Sequence, residues 1–388
     1  MKAMMIIPVF IAHMGCGNAC VFCNQRHISG HSEVPTVEAI KRQVDDYIAS
    51  GSAETVGIAF YGGSFTGLDS AMQVQYLSLA ASYKKMGIIQ HIRLSTRPDY
   101  IDEIVLNRLK AYHVDLVELG VQSFSDDVLK ASNRGHNANA IYRSIGMLKE
   151  NGIDFGIQLM FGLPNDSRER FLFSVRETIR LAPKTVRIYP TLVLKDTDLA
   201  NDYQNGYYQP PELETAVDIV ATAYAMLMRA GVNVIRVGLQ ATDLIDFNGA
   251  VMAGPYHPAF KELVLDRLVR RIFYRFAEKT KHLSEWVTNG ECFESSSETA
   301  SEIFDETIGT TARKSTVKTV WTVTVHPDLI PHIRGHKHQN LNQLTERFGV
   351  KAIHIERCEH CDKTVLRISN GNTFEIYRLY DEEVKTCI

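Results

Sequence analysis

Short β-rich runs alternate with helix-length amphipathic stretches through the first two thirds of this 388-residue chain, and that alternation limits the fold more than any other feature. The runs stand at residues 5–10, 55–60, 92–95, 116–120, 155–160 and 185–189. Between them, residues 37–49, 70–85, 102–111, 137–150 and 168–181 are amphipathic and long enough for a helix. Strand, helix, strand in regular order demands parallel strands joined by crossovers. Six such units predict an α/β core, an open, partial (β/α)6 TIM-like barrel. Chemistry in parallel barrels gathers at the C-terminal ends of the strands, so residues just past each run are the functional candidates.

After Pro211 a helical stretch runs to about Ala230, and a further strand follows at 232–237. Beyond residue 260 the pattern changes. A basic helix carries Arg267, Arg270, Arg271, Arg275, Lys279 and Lys281, residues 285–306 are acidic and serine-rich, and a compact α+β segment spans about 319–380. These shifts divide the chain into a core over 1–240, a connecting helical and loop region over 241–318 and a smaller α+β domain over 319–388.

An apolar content of 45% is ample for packed cores. No apolar run approaches the roughly 20 residues that span a bilayer. The run from Met4 to Ala12 carries Pro8 and no A-x-A cleavage site, so it reads as a buried strand and not a signal segment. A cytoplasmic protein with no membrane partner is the expectation. Seven cysteines, an odd number in a chain this long, do not form a disulfide framework; clustered thiols point instead to metal in a reducing compartment. The net charge of −3 argues against a strongly basic nucleic-acid binder in bulk and leaves room for a local basic face.

The cluster is Cys16, Cys20 and Cys23, in C-x-x-x-C-x-x-C spacing directly after the first strand. A cubane iron–sulfur cluster is normally closed by four thiolates, so three on one short loop leave one iron open to a small molecule. Structural zinc is the alternative, with His13 or His27 as fourth ligand.

The other strand ends are polar. Gly62-Gly63-Ser64 follows the second run, and paired glycines let the backbone turn sharply and a ligand approach it. Ser95-Thr96-Arg97-Pro98-Asp99 follows the third, Glu118 to Gln122 stands at the fourth, Asn133-Arg134-Gly135-His136 comes after it, and Gln158 begins the string that ends the fifth. Polar groups at successive strand ends converge on one mouth, which a polar nucleoside cofactor needs. Arg134 suits a carboxylate as a bidentate fork, and Gln122 or Gln158 suits a ribose or adenine.

The cysteine loop, with an aromatic before its last cysteine and glycines flanking its first, resembles that of the radical S-adenosylmethionine (SAM) superfamily. The strand-end strings, with Val186 to Thr197, are similar over roughly residues 5–240 to oxygen-independent coproporphyrinogen oxidases and more closely to the catalytic subunit of Elongator. The resemblance implies a [4Fe–4S] cluster on Cys16, Cys20 and Cys23, and SAM contacts from Gly62, Gly63, Ser64, Ser95, Glu118, Gln122, Arg134 and Gln158. It further implies cleavage of SAM to a 5′-deoxyadenosyl radical, fed by an electron donor such as flavodoxin or ferredoxin. The glycine motif here ends in Ser64 where the superfamily usually has Glu. The wider cysteine spacing of the Elongator subunit is absent, and its acetyltransferase half has no counterpart here. Substrate-side candidates are Arg187 and Tyr189 at the sixth strand, with Tyr256 and His257 in the stiff Gly254–Pro258 loop; interdomain packing is the alternative for the last two.

The tail around Gly335-His336-Lys337-His338 is similar to a KH module, which clamps RNA with a G-x-x-G loop between two helices. His338 replaces the second glycine. Arg267, Arg270 and Arg271 fall opposite Leu268, Ile272 and Phe276 on a helical wheel, a cationic stripe for RNA contact. Cys358 and Cys361, with His354 nearby, suit half of a second metal site, for which Cys387 is the other thiol close in sequence. RNA modification on a tRNA-like substrate is therefore the first expectation. A small organic substrate such as a tetrapyrrole is the second, and a zinc-containing RNA-binding or scaffold protein the third.

Overall fold

The computed structural model describes residues 4–11, 14–24, 34–50, 55–239, 245, 247, 249–288, 319–371 and 373–381. It divides into two units, Met1–Val264 and Leu265–Ile388.

The first unit is built on strands β1 (Met4–Phe10), β2 (Thr55–Tyr61), β3 (His91–Thr96), β4 (Leu116–Gln122), β5 (Asp154–Phe161), β6 (Thr185–Pro190), β7 (Val193–Leu194), β8 (Val234–Val237) and β9 (Val251–Ala253). Seven of them form one parallel sheet in the order β1-β2-β3-β4-β5-β6-β8. The late strand thus adds a seventh member to the six expected. Its crossovers are helices α1 (Val37–Ser50), α2 (Ser70–Lys85), α3 (Glu103–Ala111), α4 (Asp126–Ala131), α5 (Ala138–Glu150), α6 (Arg168–Leu181), α7 (Asp198–Gln204) and α8 (Leu213–Arg229). β7 and β9 pair separately as a small antiparallel ladder.

Local chemistry sets the helix starts. The side chains of Asp69, Asp102, Asn137 and Ser167 each accept a hydrogen bond from a first-turn N–H, satisfying donors that the helix itself leaves open. The sheet is buried where it is covered: β2 runs Val56 to Phe60 without an exposed position, as a strand with both faces packed must.

That the sheet curls into a half-barrel follows from one contact. β2 and β6 are four strands apart in the sheet order, which in a flat sheet is about 19 Å. Yet Arg187 on β6 donates to the Tyr61 hydroxyl on β2 at 2.9 Å. The two side chains meet across the concave interior.

The second unit begins inside α9 (Phe260–Thr288) and continues through β10 (Thr319–Val325), α10 (Ile330–Arg334), α11 (Gln339–Phe348), β11 (Val350–Arg357), β12 (Val365–Ser369) and β13 (Phe374–Arg378). Its four-stranded sheet has the order β11-β10-β12-β13. Phe273 and Phe276 of α9 pack on the buried Trp321 of β10 with centroids 6.0 and 4.9 Å away. No helix among the described residues is long and apolar enough to cross a membrane.

Candidate active site

The cysteine loop leaves the C-terminal end of β1 and is seated on the glycine turn that follows β2. The seat has no room for side chains. A Cβ on Gly15 would lie 2.1 Å from the Ser64 carbonyl oxygen, one on Gly63 2.3 Å from that of Met14, and one on Gly67 2.0 Å from that of Gly15. The paired glycines therefore let the thiol loop approach, whatever else they serve. Further bonds strap the loop to four other segments. Gly17 N–H donates to the Tyr100 hydroxyl at 2.8 Å, Asn133 Nδ2 to Ala19 O at 2.7 Å, Leu199 N–H to Val21 O at 2.8 Å, and Asn24 Nδ2 to Lys195 O at 3.2 Å.

Cys16, Cys20 and Cys23 all carry free thiols, the first exposed, the second buried and the third between. Cys16 Sγ lies 3.2 Å from Ser64 Oγ. Cys20 and Cys23 sit with Phe22, Val128 and Leu163 in an apolar cluster. The donor set is sulfur alone, three thiols within eight residues, which fits an iron–sulfur cluster better than a closed zinc site. Among the described residues no group of three or more His, Cys, Asp or Glu side chains is drawn together at metal-binding distance. His13 and His27 lie outside the described residues.

At the end of β4 the ladder with β5 breaks register between Leu119 and Gln122. Gln122 is buried with φ at 67°, a left-handed backbone that a side-chain-bearing residue adopts at a cost of about 1–3 kcal/mol. Such a bulge re-aims a side chain at a strand end. Gln122 Oε1 faces Gln158 Nε2 at 3.5 Å, bringing together two of the residues expected to hold a nucleoside.

Ser95 stands beside Glu118 in the β3–β4 register. Glu118 is committed inward. Its Oε2 meets Arg187 Nε at 2.6 Å and its Oε1 meets Arg187 Nη2 at 3.0 Å, while Arg93 approaches at 3.8 Å. Arg187 also lies over the Tyr61 ring at 5.0 Å and 3.4 Å from the Tyr189 hydroxyl. Burial works against the Arg187 charge, but Glu118 holds its pKa above the usual arginine value. Burial and the Glu118 charge push the Tyr61 hydroxyl up as well. Glu118, expected beside the cofactor, and Arg187 and Tyr189, expected beside the substrate, thus form one interior network.

Arg134 lies against the cysteine loop, its guanidinium 3.0 Å from Cys20 Sγ. Burial and the Arg134 charge lower the pKa of His136 to about 4, leaving a neutral ring. Tyr256 packs edge-on to Phe247 at 5.6 Å against the Leu192–Leu194–Ile245–Val251 cluster, and His257 Nδ1 accepts from Ala259 N–H just before α9. Both contacts lie within the first unit, Tyr256 in packing and His257 at the start of a helix. In the sequence Arg97, Tyr61 and Tyr100 carry no assigned role. Arg97 was legible in part, because an arginine two residues before Asp99 in a turn pairs with it locally.

In the second unit Arg270 is buried and Arg267, Arg271 and Arg275 are half-buried, so they do not form the solvated cationic stripe that the wheel suggests. Cys358 and Cys361 are joined as a disulfide, which removes both as metal ligands in this state; Cys387 lies outside the described residues.

A curled parallel sheet whose first strand delivers three thiols to its C-terminal mouth defines a domain of the radical SAM type. Residues 11–177 match the radical SAM superfamily and residues 183–270 the radical SAM C-terminal domain. The chain carries a radical SAM domain and has Elongator-like homologues. It is 30% identical over 157 residues to a tRNA uridine(34) acetyltransferase of Methanocaldococcus infernus, covering 39% of this chain and 29% of that protein. It is 24% identical over 267 residues to Elongator complex protein 3 of Dictyostelium discoideum, covering 58% and 48%. The solved structure of Elp3 from Methanocaldococcus infernus shares the fold with a TM-score of 0.54 and 21% identity over 72% of this chain and 64% of that one. The chain spans less than half the length of these two curated relatives.

Proposed function

We propose that this enzyme reductively cleaves SAM and modifies an RNA of the tRNA class. The observation that carries the reading is the set of three free thiols on a loop fastened to the C-terminal mouth of the half-barrel. Cys16, Cys20 and Cys23 would hold a [4Fe–4S] cluster, which would supply the one-electron reduction that SAM cleavage needs.

The chain's own residues bind and orient. Gly62, Gly63 and Ser64 offer backbone and a hydroxyl beside Cys16, where the amino group of SAM would dock. Gln122 and Gln158 offer amides for the ribose and adenine, and Ser95 a hydroxyl on the same mouth. Arg187, Tyr189 and Glu118 line the interior on the substrate side, where burial excludes water from a radical.

RNA as substrate is supported by the likeness to the tRNA uridine(34) acetyltransferase of Methanocaldococcus infernus and by the turn between α10 and α11. There Arg334, Lys337 and His338 crowd one tight loop, with Gly335 at φ 71°. The turn is anchored from beneath. Asp266 takes a bond from His336 N–H at 2.6 Å and pairs with His332 at 2.7 Å. A small organic substrate is the second reading, favoured by the burial of Arg270 within the helix expected to face RNA.

Anaerobic incubation with SAM, dithionite and total tRNA, followed by mass spectrometry of nucleosides, tests both. Release of 5′-deoxyadenosine with an altered nucleoside is expected. Release with unaltered nucleosides and a changed small molecule from cell extract would give the second reading its case, and no release at all would sink the SAM reading.

A further inference from the structure

The turn between β11 and β12 holds a disulfide that its fold does not need. Cys358 and Cys361 are joined across only two intervening residues, Glu359 and His360. A bridge restricts the unfolded chain least when the loop it closes is shortest, so this one adds little to stability. Other bonds already fix the turn. Cys358 N–H donates to Val325 O at 2.9 Å and Cys361 N–H to Cys358 O at 3.2 Å. Asp362 Oδ1 accepts from the Thr364 N–H and from its hydroxyl, both at 2.8 Å, and Lys363 Nζ reaches Asp328 at 2.7 Å. Past the turn, Leu379 N–H donates to Thr364 O at 2.7 Å and ties in the end of β13. Opening the sulfur–sulfur bond touches none of these.

The sulfurs are also placed to react. Cys358 and Cys361 are half-buried and the two residues between them are exposed, so a small thiol reaches the bridge from solvent. Arg357 precedes the pair, His360 lies within it and Lys363 follows two residues on. Basic residues beside a C-x-x-C pair favour the thiolate, the form that attacks and the form that leaves as a bridge opens. Glu359 and Asp362 are the opposing charges in the same stretch, and Asp362 is turned to Thr364 and to Arg378, 3.4 Å away.

We propose that Cys358 and Cys361 form a thiol–disulfide exchange site that takes low-molecular-weight thiols of the glutathione class. The site uses none of the residues assigned to SAM and stands whether or not that reading holds. One glutathione thiolate attacks one sulfur of the bridge, forming a mixed disulfide and releasing the other sulfur as a thiolate. A second glutathione thiolate attacks the glutathione sulfur of the mixed disulfide, releases the second protein thiolate and leaves as glutathione disulfide. Two electrons thus pass from two glutathiones to the pair, and the two protons the glutathiones lose end on the protein thiols. Glutathione disulfide drives the reverse.

The test equilibrates the full chain, without air, in buffers of reduced glutathione and glutathione disulfide in graded ratio. Samples are quenched in acid, alkylated with N-ethylmaleimide and read by peptide mass spectrometry. Trypsin cuts after Arg357 and Lys363, so one short peptide reports the pair apart from Cys16, Cys20 and Cys23. That peptide is expected to pass from no label to two labels in a single two-electron step as the buffer grows more reducing. The double variant Cys358→Ser, Cys361→Ser is expected to keep nearly the urea midpoint of the unmodified protein. A peptide still unlabelled in reduced glutathione alone, or a double variant that loses its fold, would make the bridge structural and overturn the proposal. A peptide fully labelled in glutathione disulfide alone would overturn it as well, because no bridge then forms. Zinc alone shielding the reduced pair from label would overturn it in favour of a metal ligand pair.

Discussion

At the scale of single residues, backbone contacts at the thiol loop decide what can be substituted. Gly15 has φ at 77° and its carbonyl neighbours leave no space for a Cβ, so Gly15→Ala meets both a conformational penalty and a clash. The penalty alone is about 1–3 kcal/mol. Gly15→Ala should lower the urea midpoint and leave the protein unable to retain iron, whereas a surface change such as Lys85→Ala should do neither. Asp166 gives a second residue-scale outcome. Burial pushes its carboxyl up to about 6, against two backbone N–H bonds from Gly162 and Ser167 that favour the ionised form. The folded protein therefore holds this proton where the unfolded chain, with an ordinary carboxyl, has lost it. The Asp166 contribution to stability should be complete below about pH 4 and be lost as pH rises through about 6, on the order of 2–3 kcal/mol in all. Urea midpoints measured across that window should show this slope, and Asp166→Asn should flatten it. An unchanged slope in the variant would mean another group is responsible.

At the scale of elements, the sequence was most legible where a period ran long enough. The helix expected at 168–181 forms as Arg168–Leu181 because fourteen residues fix a 3.6-residue phase, whereas Ser70–Lys85 forms where expected with little apolar periodicity, its start set by the Asp69 cap. Asp126–Ala131 is too short to show a phase and escaped notice. So did the pairing of Val193–Leu194 with Val251–Ala253, since a two-residue strand carries no alternation to read. The arginines of α9 misled for a different reason. A helical wheel separates basic from apolar faces, but a long aliphatic stem lets an arginine pack where the wheel assigns solvent. One helix end remains open to improvement. Ala182 closes α6 in the left-handed region, with φ 52° and ψ 60°, and it is exposed. Glycine adopts that conformation without a Cβ penalty, so Ala182→Gly should stabilise by about 1 kcal/mol, read as a higher urea midpoint at unchanged slope.

At the scale of the whole half-barrel, the interior charge pair carries information that no local window contains. The thiol loop and glycine turn could be found because their residues are neighbours in sequence, but Glu118 and Arg187 lie 69 positions apart and meet only once the sheet has curled. Their energetics follow from where they meet. Both side chains are largely withdrawn from water, at 7% and 18% exposure, and each has lost hydration that its partner replaces. Removing one charge leaves the other buried and unanswered, a cost of about 3–5 kcal/mol, while removing both with shape retained is close to neutral. Glu118→Gln and Arg187→Met should therefore each destabilise strongly in urea, and the double variant should recover most of the loss, a coupling that a double-mutant cycle reads directly. Arg93 sharpens the expectation, because it also lies 3.8 Å from Glu118, so Glu118→Gln withdraws the carboxylate from two arginines at once. Additive single effects would show that the half-barrel is closed by its apolar packing alone and that the pair is held for the substrate instead.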